Sequence, residues 1–343
     1  MRTISAEDLR AFSASLLVAG GFREDHARGT ADLLVWANLR GIDSHGVLRI
    51  PRYVEMVGQG IIVSDGEPVA VLEFGAIAVL EGAKCPGAVG MSAAAETAAR
   101  LARVHGVGWC AIRNTSHCGA IGYFTSKLAD LGLIGIGMSA SKPLMAYHGA
   151  KGEALSTNPL SIAIPTRDRS SFVLDMSTAA VALGKIMAAK DAGCDIPEGW
   201  GVDADGRATT DPRSVAAVLP MAGPKGSGLS LMIEMLSSVL PGNPAIAPFL
   251  LGRGGGGFNG TIIAVAPEAF GDGFADDVAE MQAAIHGLEP VEPGERVLLP
   301  GERGAARQTR LQTDGIPLAD GTAARLRKLA ERFGCAVPPA LGS

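Results

Sequence analysis

The sequence predicts an α+β protein in which a helical N-terminal part precedes a sheet and a last helix returns to it. Apolar residues first recur at spacings of three and four. From about residue 68 the period changes, and short apolar runs rich in Val, Ile and Leu alternate with alanine-rich stretches. The closing segment GTAARLRKLAERFG reverts to a helical pattern, with Leu326, Leu329 and Phe333 on one side.

Residues 5–19 read as a helix opened by Ser5, with acids in its first turn and Gly20 and Gly21 at its end. The second helix runs from about Glu24 to Leu39, with Leu33, Leu34 and Ala37 facing inward. A third is expected from Ser44 to Val57, burying Val47, Ile50, Val54 and Val57 and leaving His45, Arg49 and Arg52 on another face. Pro51 lacks a backbone donor and should kink or restart it. The runs VAVLEF, AIAVLE, VGWCAIR, LIGIGMS, SIAIP and FVLDM then read as strands. A helix from Ser227 to Leu240 follows the turn AGPKGSG, and a last strand, TIIAVA, follows four glycines at 254–257. The final helix should berth against the N-terminal ones. No repeat of roughly 20–50 residues is visible, which excludes solenoids and propellers.

A chain of 343 residues is long enough for two domains, and its net charge of −5 lacks the basic field that nucleic acid or an anionic membrane demands. Neither partner is expected. Cys85, Cys110, Cys118, Cys194 and Cys335 are scattered and form no Cys-x-x-Cys, which points to reduced thiols rather than a disulfide frame or zinc site. The opening MRTISAEDLRAF has charges where a signal peptide needs an apolar run, so a cytoplasmic protein is expected.

The most informative motif is DSHGVLR. On one helix, His45 and Arg49 are four residues apart and share a face. Histidine exchanges protons near neutral pH and arginine grips a carboxylate with two hydrogen bonds, so the pair suits a small 2-oxo or 2-hydroxy acid. His117, in IRNTSHCGAIGYF, sits between a strand and a helix start, where a neutral acid–base or cofactor-contacting histidine is well seated; a plain capping loop is the other reading. His148 reads as a loop residue, and His26, His105 and His286 as inert residues on or beside polar helical faces. Lys225, among Gly223, Gly226 and Gly228 before a helix, resembles an anion cradle. Asp175 ends FVLDM, where it could accept from ribose hydroxyls or cap a helix. Gly135, Gly137 and Ala140 match a dinucleotide fingerprint, but Pro143 and the serines at 139 and 141 break the helix that should follow, so a Rossmann loop is rejected. Asp203 and Asp205 lack the further ligands of a calcium loop and read as a turn.

Together GIDSHGVLRIPRY, NTSHCGAIGYF, STNPLSIAIPT, FVLDMST, IPEGWGVDADGRATTDP, PKGSGLSLMIEML and LPGERG resemble the type-2 malate/L-lactate dehydrogenase family. That group includes ureidoglycolate and sulfolactate dehydrogenases, diketogulonate reductase and the piperideine/pyrroline-2-carboxylate reductases, and the match runs from about residue 3 to 337. The resemblance implies a non-Rossmann NAD- or NADP-dependent oxidoreductase, usually a homodimer. It implies acid–base roles for His45 and His117, and cofactor contacts at Ser141, Asp175, Met176, Ser177, Lys225, Gly226, Gly301, Glu302 and Arg303. Three departures stand out: Ser116 where the family has asparagine, Ser156 where GTNP has glycine, and Gly-Phe-Asn-Gly at 257–260 where Gly-His-Phe-Phe is common.

The expected organisation is a helical domain over 1–67, an α+β cofactor-binding domain over 68–304 and a C-terminal segment, 305–343, packed on the first. The expected reaction is hydride transfer between nicotinamide and C2 of a small 2-oxo/2-hydroxy acid or cyclic imino acid, with Ser44 and Arg49 on the substrate. Two rivals remain at this stage: a metal-dependent hydrolase using His45, His117, Asp43 and Asp175, and a non-catalytic dinucleotide-binding homologue.

Overall fold

The computed structural model describes residues 2–167, 171–254, 257–292 and 294–342; within the glycine run at 254–257, Gly255 and Gly256 lie outside the described residues. The chain opens with a short strand, β1 (Arg2–Ile4), followed by α1 (Ala6–Ala19), α2 (Glu24–Leu39) and α3 (Ile50–Gly58). Ser5 caps α1 by accepting from the Asp8 N–H. Helix α2 is buried on two sides. Its Ala31, Leu34 and Val35 join one apolar cluster with α1 and α3, whereas Leu33 joins a second cluster beneath the sheet.

The single third helix expected from Ser44 is not what forms. Asp43–His45 and Val47–Arg49 are two separate 3-10 turns with Gly46 extended between them, and α3 starts only at Ile50, with Pro51 in its first turn. His45 and Arg49 therefore do not meet through helical i, i+4 spacing. The cause is Asn38 of α2, whose Oδ1 accepts from Val47 N–H at 2.9 Å while its Nδ2 donates to Asp43 at 2.7 Å. That side chain takes the donor a continuous helix would have used, and a Cβ at Gly46 would collide with the Asn38 amide.

The middle of the chain supplies β2 (Val69–Phe74), β3 (Ile77–Glu81), α4 (Gly87–His105), β4 (Val107–Thr115), α5 (Gly122–Asp130), β5 (Ile134–Ala140), β6 (Leu160–Ile164) and β7 (Phe172–Met176). Next come α6 (Leu183–Ala192), the two-residue strands β8 (Gly201–Val202), β9 (Ala208–Thr209) and β10 (Ala217–Val218), then α7 (Pro224–Glu234), α8 (Ile246–Leu250) and β11 (Phe258–Val265). The helix expected to Leu240 stops short, because Met235–Val239 widens into a π-turn. The chain closes with α9 (Phe274–His286), α10 (Glu302–Asp314), β12 (Ile316–Leu318) and α11 (Asp320–Phe333).

Seven strands make one mixed sheet in the order β2-β3-β4-β11-β5-β6-β7, in which β3 and β4 are parallel and every other neighbour antiparallel. Strands β3, β4, β5 and β7 consequently run the same way and end at one edge of the sheet. Helices α4 and α5 cover one face: Cys110, Ile112, Ile262 and Ala264 point into the cluster they share with Met91, Ala98 and Phe124. The π-turn lies on the other face, where Leu236 O accepts from the Thr261 hydroxyl. Gly135 and Gly137, the discarded fingerprint, lie inside β5, where a Cβ at 137 would come within 2.7 Å of Ile121 on the approach to α5. They are glycine so that helix and strand can approach. Asp203 Oδ1 accepts from the backbone of Asp205 and Arg207, closing the expected turn.

At the end of the chain β12 pairs antiparallel with β1, and Ile316, Leu326, Leu329 and Ala330 enter the same cluster as Leu9 and Leu16 of α1. Among the described residues no helix is long and apolar enough to cross a membrane. At the start of α4, a Cβ on Gly87 would collide with the backbone carbonyl of His117, and the Gly87 N–H already donates to Ser116 Oγ at 2.8 Å. Gly87→Ala should therefore destabilise the protein by about 1–3 kcal/mol, as overpacking does, and displace the His117 loop. Urea unfolding checks it: a midpoint equal to the wild type would mean that the loop yields freely.

Candidate active site

His117 lies just beyond the end of β4, and His45 in the first 3-10 turn; their rings stack at 5.6 Å between centroids with 21° between planes. Arg49, on the second turn, donates from Nε to the Ser44 carbonyl at 2.7 Å, which fixes the guanidinium and leaves its other N–H groups without a partner among the described residues. Ser44 Oγ is 2.9 Å from His45 Nδ1. Tyr53 of α3 reaches His117 Nδ1 with its hydroxyl at 2.7 Å, and Phe258 stands edge-on to the same imidazole at 5.7 Å. The fork, the two imidazoles and the serine form one constellation although the helix expected to align them is absent.

Both histidines are only half-buried by accessible area, yet densely surrounded. Desolvation pushes His45 down to about 4, with the Arg49 charge acting in the same direction. Burial, then Arg49, then His45 hold His117 well below the ordinary imidazole range. The expected helix-end effect on His117 is not the cause, since the first N–H of α5, on Gly122, donates to Asp175 at 2.9 Å instead. Asp175, at the end of β7, is raised to about 6 by desolvation, against the pull of that N–H and of Arg40.

The other expected residues gather around the end of β7. Ser177 Oγ donates to Thr157 O and accepts from Ala179 N–H; Met176 pairs with Leu160 in the sheet; Ser141 Oγ is 2.7 Å from Ser156 Oγ. Thr178 O accepts from Met221 N–H, which brings the Lys225 turn beside FVLDMST. In that turn the backbone N–H groups of Lys225, Gly226 and Ser227 all donate to Ala222, Met221 and Gly223 carbonyls. The anion cradle read from the sequence thus spends its backbone donors on itself. What it offers is the exposed Lys225 ammonium, unpaired among the described residues. Gly301, at φ +91°, packs on Val173, and Arg303 is exposed. Glu302 is engaged with the Leu299 N–H and His286.

Sequence reasoning passed over Tyr53 and Arg40. Tyr53 is the last residue of GIDSHGVLRIPRY, where only its aromatic ring spoke for it. Arg40 donates to the Gly301 carbonyl at 3.1 Å and to Gln308, lies over Trp36, and feels the charge of Asp175. His26 is buried, with Nδ1 3.0 Å from Ser64 O, and is not on a polar face. His148 lies against Gly223 and its N–H donates to Ser227 Oγ.

A metal centre is not assembled by these residues. Asp43 is bound to Asn38, Asp175 belongs to Gly122 and Arg40, and among the described residues no three His, Cys, Asp or Glu side chains converge. That arrangement removes the ligand set on which the hydrolase rival depended.

A family model for malate/L-lactate dehydrogenase matches residues 4–327. The chain belongs to this dehydrogenase family. Relatives include an NAD(+)-dependent ureidoglycolate dehydrogenase of Escherichia coli O157:H7, 33% identical over 92% of this chain and 93% of its own. An L-sulfolactate dehydrogenase of Methanocaldococcus jannaschii is 36% identical over 92% of each chain. Among solved structures, the δ1-piperideine-2-carboxylate reductase of Pseudomonas syringae pv. tomato aligns with a TM-score of 0.86 at 29% identity, over 96% of this chain and 100% of that one.

Two of the three departures from the family's pattern have local structural roles. Ser116 Oγ accepts from Gly87 N–H, tying the His117 loop to α4, and Ser156 meets Ser141. The third sets Phe258 beside His117.

Because Arg49 depresses His45, a carboxylate seated on Arg49 should raise that histidine again and draw in a proton. The bound form then holds more protons than the free form, so the affinity of an unreactive analogue such as oxamate should tighten as the pH falls from roughly 6.5 towards roughly 4, where the free histidine itself takes up a proton. Calorimetry in buffers of different ionisation heat measures the uptake; a flat affinity across that window would sever Arg49 from His45.

Proposed function

We propose that this family member catalyses hydride exchange between a nicotinamide dinucleotide and C2 of a small 2-oxo/2-hydroxy acid or cyclic imino acid. The observation that carries the reading is a carboxylate-matching guanidinium beside two stacked, neutral imidazoles. Relatives named for ureidoglycolate, sulfolactate and malate support this substrate class without selecting one member. Arg49 grips the carboxylate with Ser44 beside it. His45 exchanges the proton of the C2 oxygen or nitrogen, and His117 donates a hydrogen bond that orients that atom.

NAD or NADP supplies the hydride acceptor or donor when bound. The residues around β7 suit such a group: a half-buried carboxyl at Asp175 for ribose hydroxyls, and the exposed cations Lys225 and Arg303, unpaired among the described residues, for phosphates. Ser141, Met176, Ser177, Gly226, Gly301 and Glu302 complete the contacts we assign to it. We also propose a homodimer in a reducing, cytoplasmic setting. The division into 1–67, 68–304 and 305–343 is supported by one apolar cluster joining the first and third segments, while the sheet has its own.

A panel of 2-oxo acids and cyclic imines with NADH and NADPH, followed at the nicotinamide absorbance band, tests the activity. Dinucleotide binding with no turnover on any member would favour the non-catalytic homologue. Arg49→Ala should cost about 2–4 kcal/mol in kcat/KM and leave cofactor affinity intact, with Arg49→Lys recovering only part. An unchanged kcat/KM would remove Arg49 from the substrate. Replacing His45 or His117 with Asn should cut turnover by roughly 10²–10⁴ with the fold retained; both variants staying within about tenfold of wild type would mean that neither does the chemistry. Lys225→Ala should weaken NADH or NADPH binding by about 1–3 kcal/mol, read by cofactor fluorescence. An unaltered dissociation constant would return Lys225 to the ordinary surface.

A further inference from the structure

His117 is held from behind by two groups that the reaction described above does not use. The Tyr53 hydroxyl lies 2.7 Å from Nδ1, and the Gly119 N–H points at the same nitrogen from 3.3 Å. A backbone N–H can only donate. Nδ1 must therefore present its lone pair, and the hydroxyl hydrogen of Tyr53 turns to it as well. In the opposite tautomer the Gly119 N–H would face another N–H. Tyr53 is 4% exposed, and His117 Nδ1 is the partner its hydroxyl has among the described residues.

We propose that Tyr53 is a positioning residue that fixes the tautomer of His117, placing the ring proton on Nε2 so that this atom donates to the substrate. The proposal rests on the reading that His117 orients the substrate's C2 oxygen or nitrogen. It also divides labour between the histidines. A neutral ring with Nε2 protonated cannot accept a proton there, which leaves proton exchange to His45, whose Nδ1 has the hydroxyl of Ser44 beside it. The Tyr53 ring is tilted 48° to His117 at 5.8 Å, so its aromatic body also holds the imidazole plane against the stacked His45.

The test separates tautomer from activity. In ¹⁵N-histidine-labelled protein without cofactor, with the His117 signals identified by their loss in His117→Asn, Nε2 should carry the proton and Nδ1 should not. A wild-type Nδ1–H overturns the proposal whatever the enzyme turns over, and needs no Tyr53 variant. Tyr53→Phe keeps the packing and removes the hydroxyl. It should mix the two tautomers and lower kcat about 10- to 100-fold, while KM for the carboxylate substrate stays within about threefold. A Tyr53→Phe protein with the wild-type tautomer, or with a shifted tautomer and unchanged kcat, also overturns it. Should no oxo acid or imine be turned over by the wild type, the proposed reaction falls while the tautomer measurement still decides the structural claim.

Discussion

Strand direction is the constraint on which the site depends. β4, β5 and β7 run in parallel sense, so the segments leaving them, which carry His117, Ser141 and Asp175 to Ser177, emerge at one edge of the sheet. β11 runs the other way and therefore starts at that edge, which is how Phe258 comes to stand beside His117. Ligand sites collect beyond the carboxyl ends of strands because loops there are free to diverge while the strands fix their origins. The hydrogen bond from Gly122 to Asp175 then ties the His117 loop to the end of β7. The residues proposed for substrate and for cofactor are thus braced by the same backbone.

The electrostatics follow from placing a permanent cation beside two desolvated imidazoles. Desolvation first, and the charge of Arg49 second, keep both histidines neutral, and a neutral ring can accept a proton from a hydroxy acid or donate a hydrogen bond to an oxo acid. A guanidinium beside desolvated rings without a counter-charge is an electrostatic cost. In the proposed reaction a bound carboxylate offsets it, which would couple affinity for the substrate and readiness of the histidines through one guanidinium. Neutral folded histidines also make the protein less stable as the pH falls below the ordinary imidazole range, where the unfolded chain takes up protons that the folded site refuses.

Much of this was legible in the sequence, and the reasons differ by element. The strands of the main sheet announce themselves by short apolar runs with no competing helical period, and Ser5 and the acids after it mark the start of α1. The histidine and arginine of DSHGVLR were readable as chemistry, but their local geometry was not. Whether that stretch is one helix or two turns is decided by Asn38, and nothing in residues 43–49 reports an amide arriving from α2. The same holds for the Lys225 turn, whose glycines are compatible with a phosphate cradle or with the close approach of Met221 and Thr178 carbonyls. Only the fold chooses. Arg40 and Tyr53 were hidden because their roles consist of long-range contacts, to Gly301 and to His117.

Phe258 shows how a departure from a family pattern can be absorbed by the surroundings yet reach the site. The register between β11 and β4 shifts between Phe258 and Gly260, and Asn259 fills the irregularity by accepting from the Asn114 N–H and donating to Ser238 and to Asn243 O. Gly260 leaves room for Met91, where a Cβ would collide with the thioether. With its neighbours satisfied in this way, Phe258 can turn its ring towards His117 without an unpaired backbone group. An apolar edge at that position adds to the desolvation that keeps His117 neutral. Under the proposed reaction, it also gives a substrate held by His117 a wall that cannot hydrogen-bond a polar substituent. Selectivity at this wall therefore rests on shape and apolar contact, where one methylene is worth only about 1–3 kcal/mol. Under the proposed reaction, strict discrimination among small acids has to come from groups that pair with the substrate, and Arg49, Ser44 and the two histidines are the ones proposed to do so.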